Sequence, residues 1–165
     1  MSAVISPCGL YRWILGRDNL VRLVSAGRKK GTILWVMLNP STADAIKPDP
    51  TLNRVVDFSR RFGYRELHIV NLYAYRTAFP HELWLAEDPV GVENDRWIHE
   101  AARRASVVVV AWGGNAKPDR VARVLELLQV DNPVVYCLGT NADGSPRHPL
   151  YLSKKTVLEP WALPE

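Results

Sequence analysis

Four segments of the chain place polar or aromatic side chains directly after short apolar runs. Asn39 and Asp44 follow the first run, and Asn71 ends the second. Trp112 follows the third run, and His148 lies in the segment after the fourth. Ligands of open α/β sheets bind beyond the carboxyl ends of the strands, so these side chains are expected to meet at one rim. Further candidates in or just beyond these segments are Pro40, Ser41, Tyr73, Arg76, Gly113, Asn115, Arg147, Pro149, Leu150, Tyr151, Lys154 and Lys155.

Several kinds of chemistry lack the residues that they need. The chain has no Gly-x-Ser-x-Gly motif and no Ser-His-Asp order, which argues against an acyl-transfer hydrolase. Its four histidines show no metal-ligand spacing, and Cys8 and Cys137 form no Cys-x-x-Cys pair. We therefore expect no metal site and no cofactor.

The candidate residues also have purely structural explanations. Asn39 and Pro40 are residue types that form turns, and Asp44 could cap a helix. Gly113 and its neighbour Gly114 could let a helix begin close to the sheet, and His148 could be a surface histidine. The rim is therefore a hypothesis that depends on the four segments meeting.

The elements that would position these residues alternate between strand and helix. Asp49 is suited to the N-cap of the first helix, Pro50 to its first position and Gly63 to its C-terminal end. The apolar residues of the helices recur at helical spacing, which predicts helices over about residues 50–62, 91–105 and 118–129. Uniformly apolar runs predict buried strands at residues 32–38, 67–72, 106–111 and 134–138.

This alternation predicts an α/β fold. We expect three layers, α/β/α, with a central, mostly parallel four-stranded sheet and right-handed crossovers. Residues 11–15 and 20–24, around a turn at 16–19, predict an N-terminal antiparallel hairpin. The length of 165 residues fits a single domain over residues 1–165.

Composition limits the location and the partners of the protein. The longest apolar runs have six residues, whereas a membrane span needs about 20. Residues 1–7 lack the design of a signal peptide, so we expect a cytoplasmic protein that does not bind membranes. The net charge is +4, with 15 Arg and 6 Lys. Arginine suits phosphate groups, which makes DNA or a nucleotide the expected partner and leaves the oligomeric state open.

Four motifs carry a family resemblance that runs from about residue 11 to residue 152. They are LNPSTAD at 38–44, VNLYA at 70–74, AWG at 111–113 and PRHPLYL at 146–152. Together they resemble an uncharacterised bacterial and phage family, domain of unknown function 1643. This resemblance implies no activity.

The order of these motifs is also distantly similar to that of the uracil-DNA glycosylase superfamily. Residues 148–153 keep the spacing of its final His-Pro-x-x-Leu-Ser loop, although Leu150 and Tyr151 replace the usual small residue and second proline. Asn39 and Pro40 resemble the Asn-Pro of the mismatch-specific branch. The superfamily fold is a parallel four-stranded sheet between helices, and the lack of cysteine clusters excludes its iron–sulfur branches.

This second resemblance implies hydrolysis of the N-glycosidic bond of a base, normal or modified, in DNA. Asn39, with Asp44, would orient water, Asn71 would read the base, and His148 would donate a hydrogen bond to it. The residues expected to bind the base or ligand are Pro40, Ser41, Asn71, Tyr73, Arg76, Trp112, Gly113, Asn115, Pro149, Leu150 and Tyr151. The residues expected to hold phosphates are Arg147, Lys154 and Lys155.

Two alternatives to a DNA glycosylase stay open. The protein could be a non-catalytic module that binds a nucleotide, a nucleic acid or a protein through the same rim. It could also be an enzyme that acts on a free nucleoside or nucleotide. Duplex affinity and base release distinguish these possibilities.

Overall fold

The computed structural model describes residues 2–18, 20, 30–41, 49–129 and 134–162. Its helices are α1 (Pro50–Arg61), α2 (Pro80–Leu83), α3 (Asn94–Arg104) and α4 (Pro118–Gln129), with a 3₁₀ turn at Pro149–Tyr151. Its strands are β1 (Ser2–Ile5), β2 (Arg12–Arg17), β3 (Lys30–Met37), β4 (Tyr64–Asn71), β5 (Val107–Val110), β6 (Val135–Cys137) and β7 (Glu159–Trp161). None of these helices is long and apolar enough to span a bilayer.

The strands form one mixed sheet in the order β1-β2-β4-β3-β5-β6-β7. The four central strands are parallel, as their alternation with helices predicted. Antiparallel strands flank them, because β2 pairs with β4 on one side and β7 with β6 on the other. The predicted α/β class is therefore confirmed, whereas the sheet is wider than four strands.

The N-terminal hairpin differs from its predicted form. The structure continues β2 through Gly16 and Arg17, where a turn was predicted, and pairs β2 with β1. Gly16 serves a close approach between strands, since an added Cβ would lie 2.6 Å from Ser2 Oγ. Residues 21–24 of the predicted second strand lie outside the described residues.

The ends of α1 follow from its sequence. Asp49 is the N-cap, and its Oδ1 accepts hydrogen bonds from the backbone N–H groups of Thr51 at 2.8 Å and Leu52 at 3.3 Å. Pro50 occupies the first helical position, as predicted. Gly63 follows the last turn with φ +81°, a conformation that glycine adopts without steric cost. This cap fixes where α1 begins, beside the carboxyl end of β3.

Helices cover both faces of the sheet. On one face, Val55 and Phe58 of α1 pack in a cluster with Trp35, whose Nε1 donates to Ser59 Oγ at 2.9 Å. On the other face, residues of α3 and α4 pack against β3 and β5 in a second buried cluster. An ion pair between Arg120 Nη1 and Asp95 Oδ1, 2.5 Å apart, joins α3 to α4. The carboxyl ends of the parallel strands stay open at the rim.

Candidate functional site

A cavity of about 730 Å³ lies at the carboxyl ends of the parallel strands. Asn39 enters it from beyond β3, Asn71 from the end of β4, Trp112 from beyond β5 and His148 from beyond β6. Its apolar lining is formed by side chains that include Leu15, Met37, Leu38, Leu52 and Ile69. The volume lies within the range of small-molecule sites in proteins.

Asn39 is held in a fixed orientation at the edge of this cavity. Its Nδ2 donates to the carbonyl oxygens of Thr77 at 2.9 Å and Pro40 at 3.1 Å. Because only the amide nitrogen can donate, these two carbonyls determine which way the amide points. Both amide protons are therefore used by the backbone, and Oδ1 is the group that can accept a hydrogen bond from a water or a ligand.

Asn71 presents a buried donor without a partner. The residue is 2 % exposed, and its Nδ2 has no hydrogen-bond partner among the described residues. An unsatisfied buried donor costs about 1–3 kcal/mol. A ligand with an acceptor atom at this point would remove that cost, so Asn71 is suited to read the edge of a polar ligand.

His148 is a neutral donor. The backbone N–H of Leu150 donates to its Nδ1 at 3.4 Å, which places the proton of the neutral ring on Nε2. Burial lowers the pKa of His148, and the charge of Asp49 opposes this shift only in part. The ring is thus uncharged near neutral pH and offers an Nε2–H group.

Trp112 and the residue after it form one wall of the cavity. Trp112 is 3 % exposed and packs edge-on against Trp161, with 5.2 Å between ring centroids. Gly113 has φ +76°, and an added Cβ would lie 3.9 Å from the Cβ of His148. Trp112 therefore fills the wall, whereas Tyr151, which is 85 % exposed, stands at the mouth.

Asp49 is a carboxylate of the lining that the sequence analysis assigned only to capping. Its Oδ1 caps α1, and its Oδ2 accepts from Ser41 Oγ at 2.9 Å. Both oxygens are therefore engaged. Asp44, the carboxylate that was expected to help orient water, lies outside the described residues.

Positive charge in the lining comes mainly from β2. Arg12 and Arg17 both line the cavity, together with Arg147, whose Nε donates to Thr140 O at 2.9 Å. Burial, and secondarily the charge of Arg76, lower the pKa of Arg12 to about 10, so it stays protonated at neutral pH. Asp49 alone opposes these three guanidinium groups among the described lining residues, so the cavity favours an anionic ligand.

The structure brings nine of the predicted site residues to the lining of this cavity. They are Asn39, Ser41, Asn71, Trp112, Gly113, Asn115, Arg147, His148 and Tyr151. Seven others do not line it: Pro40, Tyr73, Arg76, Pro149, Leu150, Lys154 and Lys155.

Some of these seven have evident structural roles. Tyr73 is 2 % exposed, lies in the core, and its hydroxyl accepts from the backbone N–H of Lys117. Pro40 is buried, and its carbonyl accepts from Asn39 and from the Thr77 backbone. Arg76 donates to Gly9 O at 2.9 Å, and Lys154 lines a separate surface groove along α1.

Arg12, Arg17 and Thr77 also line the cavity but were not predicted from the sequence. Thr77 lies in the segment after β4 and was not singled out there. Site residues were sought only after parallel strands, whereas β2 is antiparallel to β4 and brings Arg12, its first residue, to the same rim. A charged residue at the start of a predicted antiparallel neighbour was the available signal. Across the residues that the structure describes, no group of three or more His, Cys, Asp or Glu side chains is arranged to bind a metal ion.

Comparison with known proteins gives one match. A family model described as a protein of unknown function, DUF1643, matches residues 12–150. No curated protein and no solved structure matches the chain. The family match supports the first of the two resemblances, and no match to a uracil-DNA glycosylase accompanies it.

Proposed function

The chain belongs to the DUF1643 family, and from the geometry of its cavity we propose that it binds a nucleotide unit and hydrolyses the N-glycosidic bond between base and sugar. One observation carries this proposal. Asn39, Asn71 and His148 line the same cavity, and each has a hydrogen-bonding group that the described protein leaves unused.

The three groups complement the parts of such a substrate. The Nδ2 of Asn71 would donate to an acceptor on the base, and the Nε2–H of His148 would donate to a base oxygen. The Oδ1 of Asn39 would accept a hydrogen bond from the attacking water and so orient its oxygen. Hydrogen bonds aimed at charge that develops on the departing base lower the barrier, because that charge is larger in the transition state.

The bond changes balance without a further reactant. The water oxygen forms a bond to the anomeric carbon as the carbon–nitrogen bond breaks. The electron pair of the broken bond leaves with the base, and the proton of the water passes through solvent to the base. The products are the free base and a sugar with a hydroxyl at its anomeric carbon.

The fold and the cavity mouth give further support. Four parallel strands between helices agree with the three-layer fold that the resemblance to uracil-DNA glycosylases implies. The exposed ring of Tyr151 at the mouth is suited to stack on, or to wedge between, the bases of a strand from which a nucleotide has been extruded.

The test is release of free base from oligonucleotides that carry a panel of normal and modified bases. We expect Asn39→Ala and His148→Ala each to slow release about 10²-fold, the range for loss of one positioned group. Asn53→Ala and His81→Ala, which remove the same side-chain types from exposed positions outside the cavity, should keep the rate. Unchanged release in both cavity variants would refute the proposal.

A non-catalytic binding module is the second candidate, and the state of Asp49 favours it. Both oxygens of this carboxylate are engaged, so the described lining holds no free carboxylate that could take a proton from water. Salt-dependent oligonucleotide binding without base release from any member of the panel would support this reading. Turnover of free nucleotides alone would instead indicate a small-molecule enzyme.

A further inference from the structure

Arg12 is a charged, half-buried side chain of β2 that lines the cavity. Its Nε is buried and has no hydrogen-bond partner among the described residues. No ion pair of the described structure involves its guanidinium. Asp49 lies near enough to influence the charge of Arg12 but forms no ion pair with it. Withdrawing an unpaired charge even partly from water is costly, and proteins usually avoid it.

Arg120, which is buried, shows how this fold treats an arginine that serves structure. Arg120 is 8 % exposed, its Nε donates to Leu72 O at 2.7 Å, and its Nη1 pairs with Asp95. Arg120 therefore links α4 to α3 and to the end of β4. Arg12 makes no such link through its side chain, which lines the cavity instead.

The neighbours of Arg12 make its position more positive. Arg17, on the same strand, also lines the cavity, and burial lowers the pKa of Arg17 as well. The charge of Arg17 acts on Arg12 in the unfavourable direction. The two guanidinium groups of β2 thus share the cavity with one carboxylate, Asp49, whose oxygens are already engaged by Ser41 and by the start of α1.

We propose that Arg12, assisted by Arg17, forms a phosphate subsite, so that the ligand of the cavity is a phosphorylated nucleotide unit. The inference rests on the proposed binding of a nucleotide and extends it. A guanidinium group can hold phosphate through two parallel hydrogen bonds. The phosphate would neutralise the charge of Arg12 and satisfy its buried Nε donor. It can belong to a free nucleotide or to the backbone of a strand.

The test compares ligands that differ by the phosphate alone. Calorimetry measures binding of the four common deoxynucleosides, their 5′-monophosphates, a short single-stranded oligonucleotide and inorganic pyrophosphate. We expect the phosphorylated ligands to bind at least about tenfold more tightly than the nucleosides, as loss of a charge-assisted hydrogen bond implies. Tighter binding of the monophosphates indicates a free nucleotide, and tighter binding of the oligonucleotide indicates a strand.

Two variants of Arg12 test its role. Arg12→Gln should reduce the ratio of affinities, phosphorylated ligand over nucleoside, to about twofold or less. Arg12→Lys returns the charge and should restore part of this ratio. Arg96→Gln removes the same charge from an exposed position of α3 and should leave the advantage unchanged. Circular dichroism establishes that each variant is folded.

The outcomes separate this inference from the proposed hydrolysis. An equal advantage of phosphorylated ligands in wild type and Arg12→Gln would overturn the subsite. So would a wild-type protein that binds nucleosides and phosphorylated ligands equally and does not bind pyrophosphate. If Arg12→Gln does not fold, pyrophosphate binding is compared between wild type and Arg12→Lys. Weaker binding by Arg12→Lys supports the subsite, and equal binding overturns it. Phosphate-dependent binding without base release would keep the subsite and refute the hydrolysis.

Discussion

Two buried asparagines at the end of β4 show how the same residue type can serve ligand binding or stability. Asn94 is fully buried, and its Nδ2 donates to Asn71 O at 3.1 Å and Leu72 O at 3.0 Å. Asn71 is almost as buried, yet its Nδ2 donates to no described residue. The first side chain holds the backbone of the rim, whereas the second is available to a ligand.

This difference predicts opposite effects of the same substitution. Asn71→Leu removes an unsatisfied donor, so the free energy of unfolding should stay the same or rise by about 1 kcal/mol, while nucleotide binding is lost. Asn94→Leu removes two hydrogen bonds and should lower the free energy of unfolding by about 1–3 kcal/mol. Urea denaturation and calorimetry measure both quantities. Destabilisation of the Asn71 variant as large as that of the Asn94 variant would show that Asn71 is structural.

At the residue scale, the place of the site was predictable because parallel strands of one sheet end at the same edge. Asn39 and Asn71 reach the cavity at or just beyond the ends of their strands, and His148 reaches it from the longer segment after β6. Tyr73 lies between Asn71 and Arg76 but turns into the core, because its ring packs against Trp84 at 5.1 Å. Which residue of a rim segment faces inward depends on tertiary packing, and periodicity does not determine it.

At the scale of elements, α1 anchors the segment that carries His148. The guanidinium of Arg54 donates to Leu152 O, immediately after the 3₁₀ turn, and also lies over the ring of Phe58. About two helical turns further along α1, Arg61 donates in the same way to Thr156 O. Arg54 thus acts on the site through the turn that holds His148, without lining the cavity itself.

These two arginines provide a matched pair of variants. Arg54→Gln should weaken nucleotide binding about three- to tenfold, because the turn that carries His148 loses its anchor. Arg61→Gln removes an equivalent contact farther along the chain and should leave affinity unchanged. The free energy of unfolding should fall by a similar amount in both variants. A difference in affinity between them therefore reports positioning of the turn and not a loss of stability. Equal affinity in the two variants would argue against a positioning role for Arg54.

Element boundaries were predictable where local chemistry sets them. The predicted range of α4, residues 118–129, is observed, and Asp49 and Gly63 delimit α1 as their residue types indicated. The width of the sheet was not predictable in this way, because β1 and β7 are short strands whose pairing depends on distant partners. The residue type of Gly16 predicted a turn. In the structure a glycine is needed there because the Ser2 side chain of the paired strand leaves no room for a Cβ.

At the scale of the whole molecule, groups distributed over the fold predict how its stability depends on pH. Burial lowers the pKa of both His68 and His148, so the unfolded chain binds more protons than the folded one below about pH 6.5. Burial alone would raise the pKa of Asp95, but its ion pairs with Arg120 and Arg123 lower it. Both effects destabilise the protein as the pH falls, the histidines first and Asp95 below about pH 4.

We therefore expect the free energy of unfolding to decrease as the pH falls from about 7.5 to about 5. His148→Gln should flatten this dependence, and the double variant with His68→Gln should flatten it further. Urea denaturation across this range measures the slope. A double variant as sensitive to pH as wild type would show that other groups are responsible.

The position of β2 bears on when the site is completed during folding. Arg12 reaches the rim only after β2 pairs with β4, and that pairing joins Leu15 to Ile69, which are far apart along the chain. The pairing of β3 with β5, which brings Trp112 to the same rim, joins residues that are farther apart still, such as Val36 and Val110. Closing such long loops is entropically costly and slow compared with forming local contacts. Phosphate affinity would then be acquired only with the complete sheet, which makes it a kinetic reporter of sheet assembly.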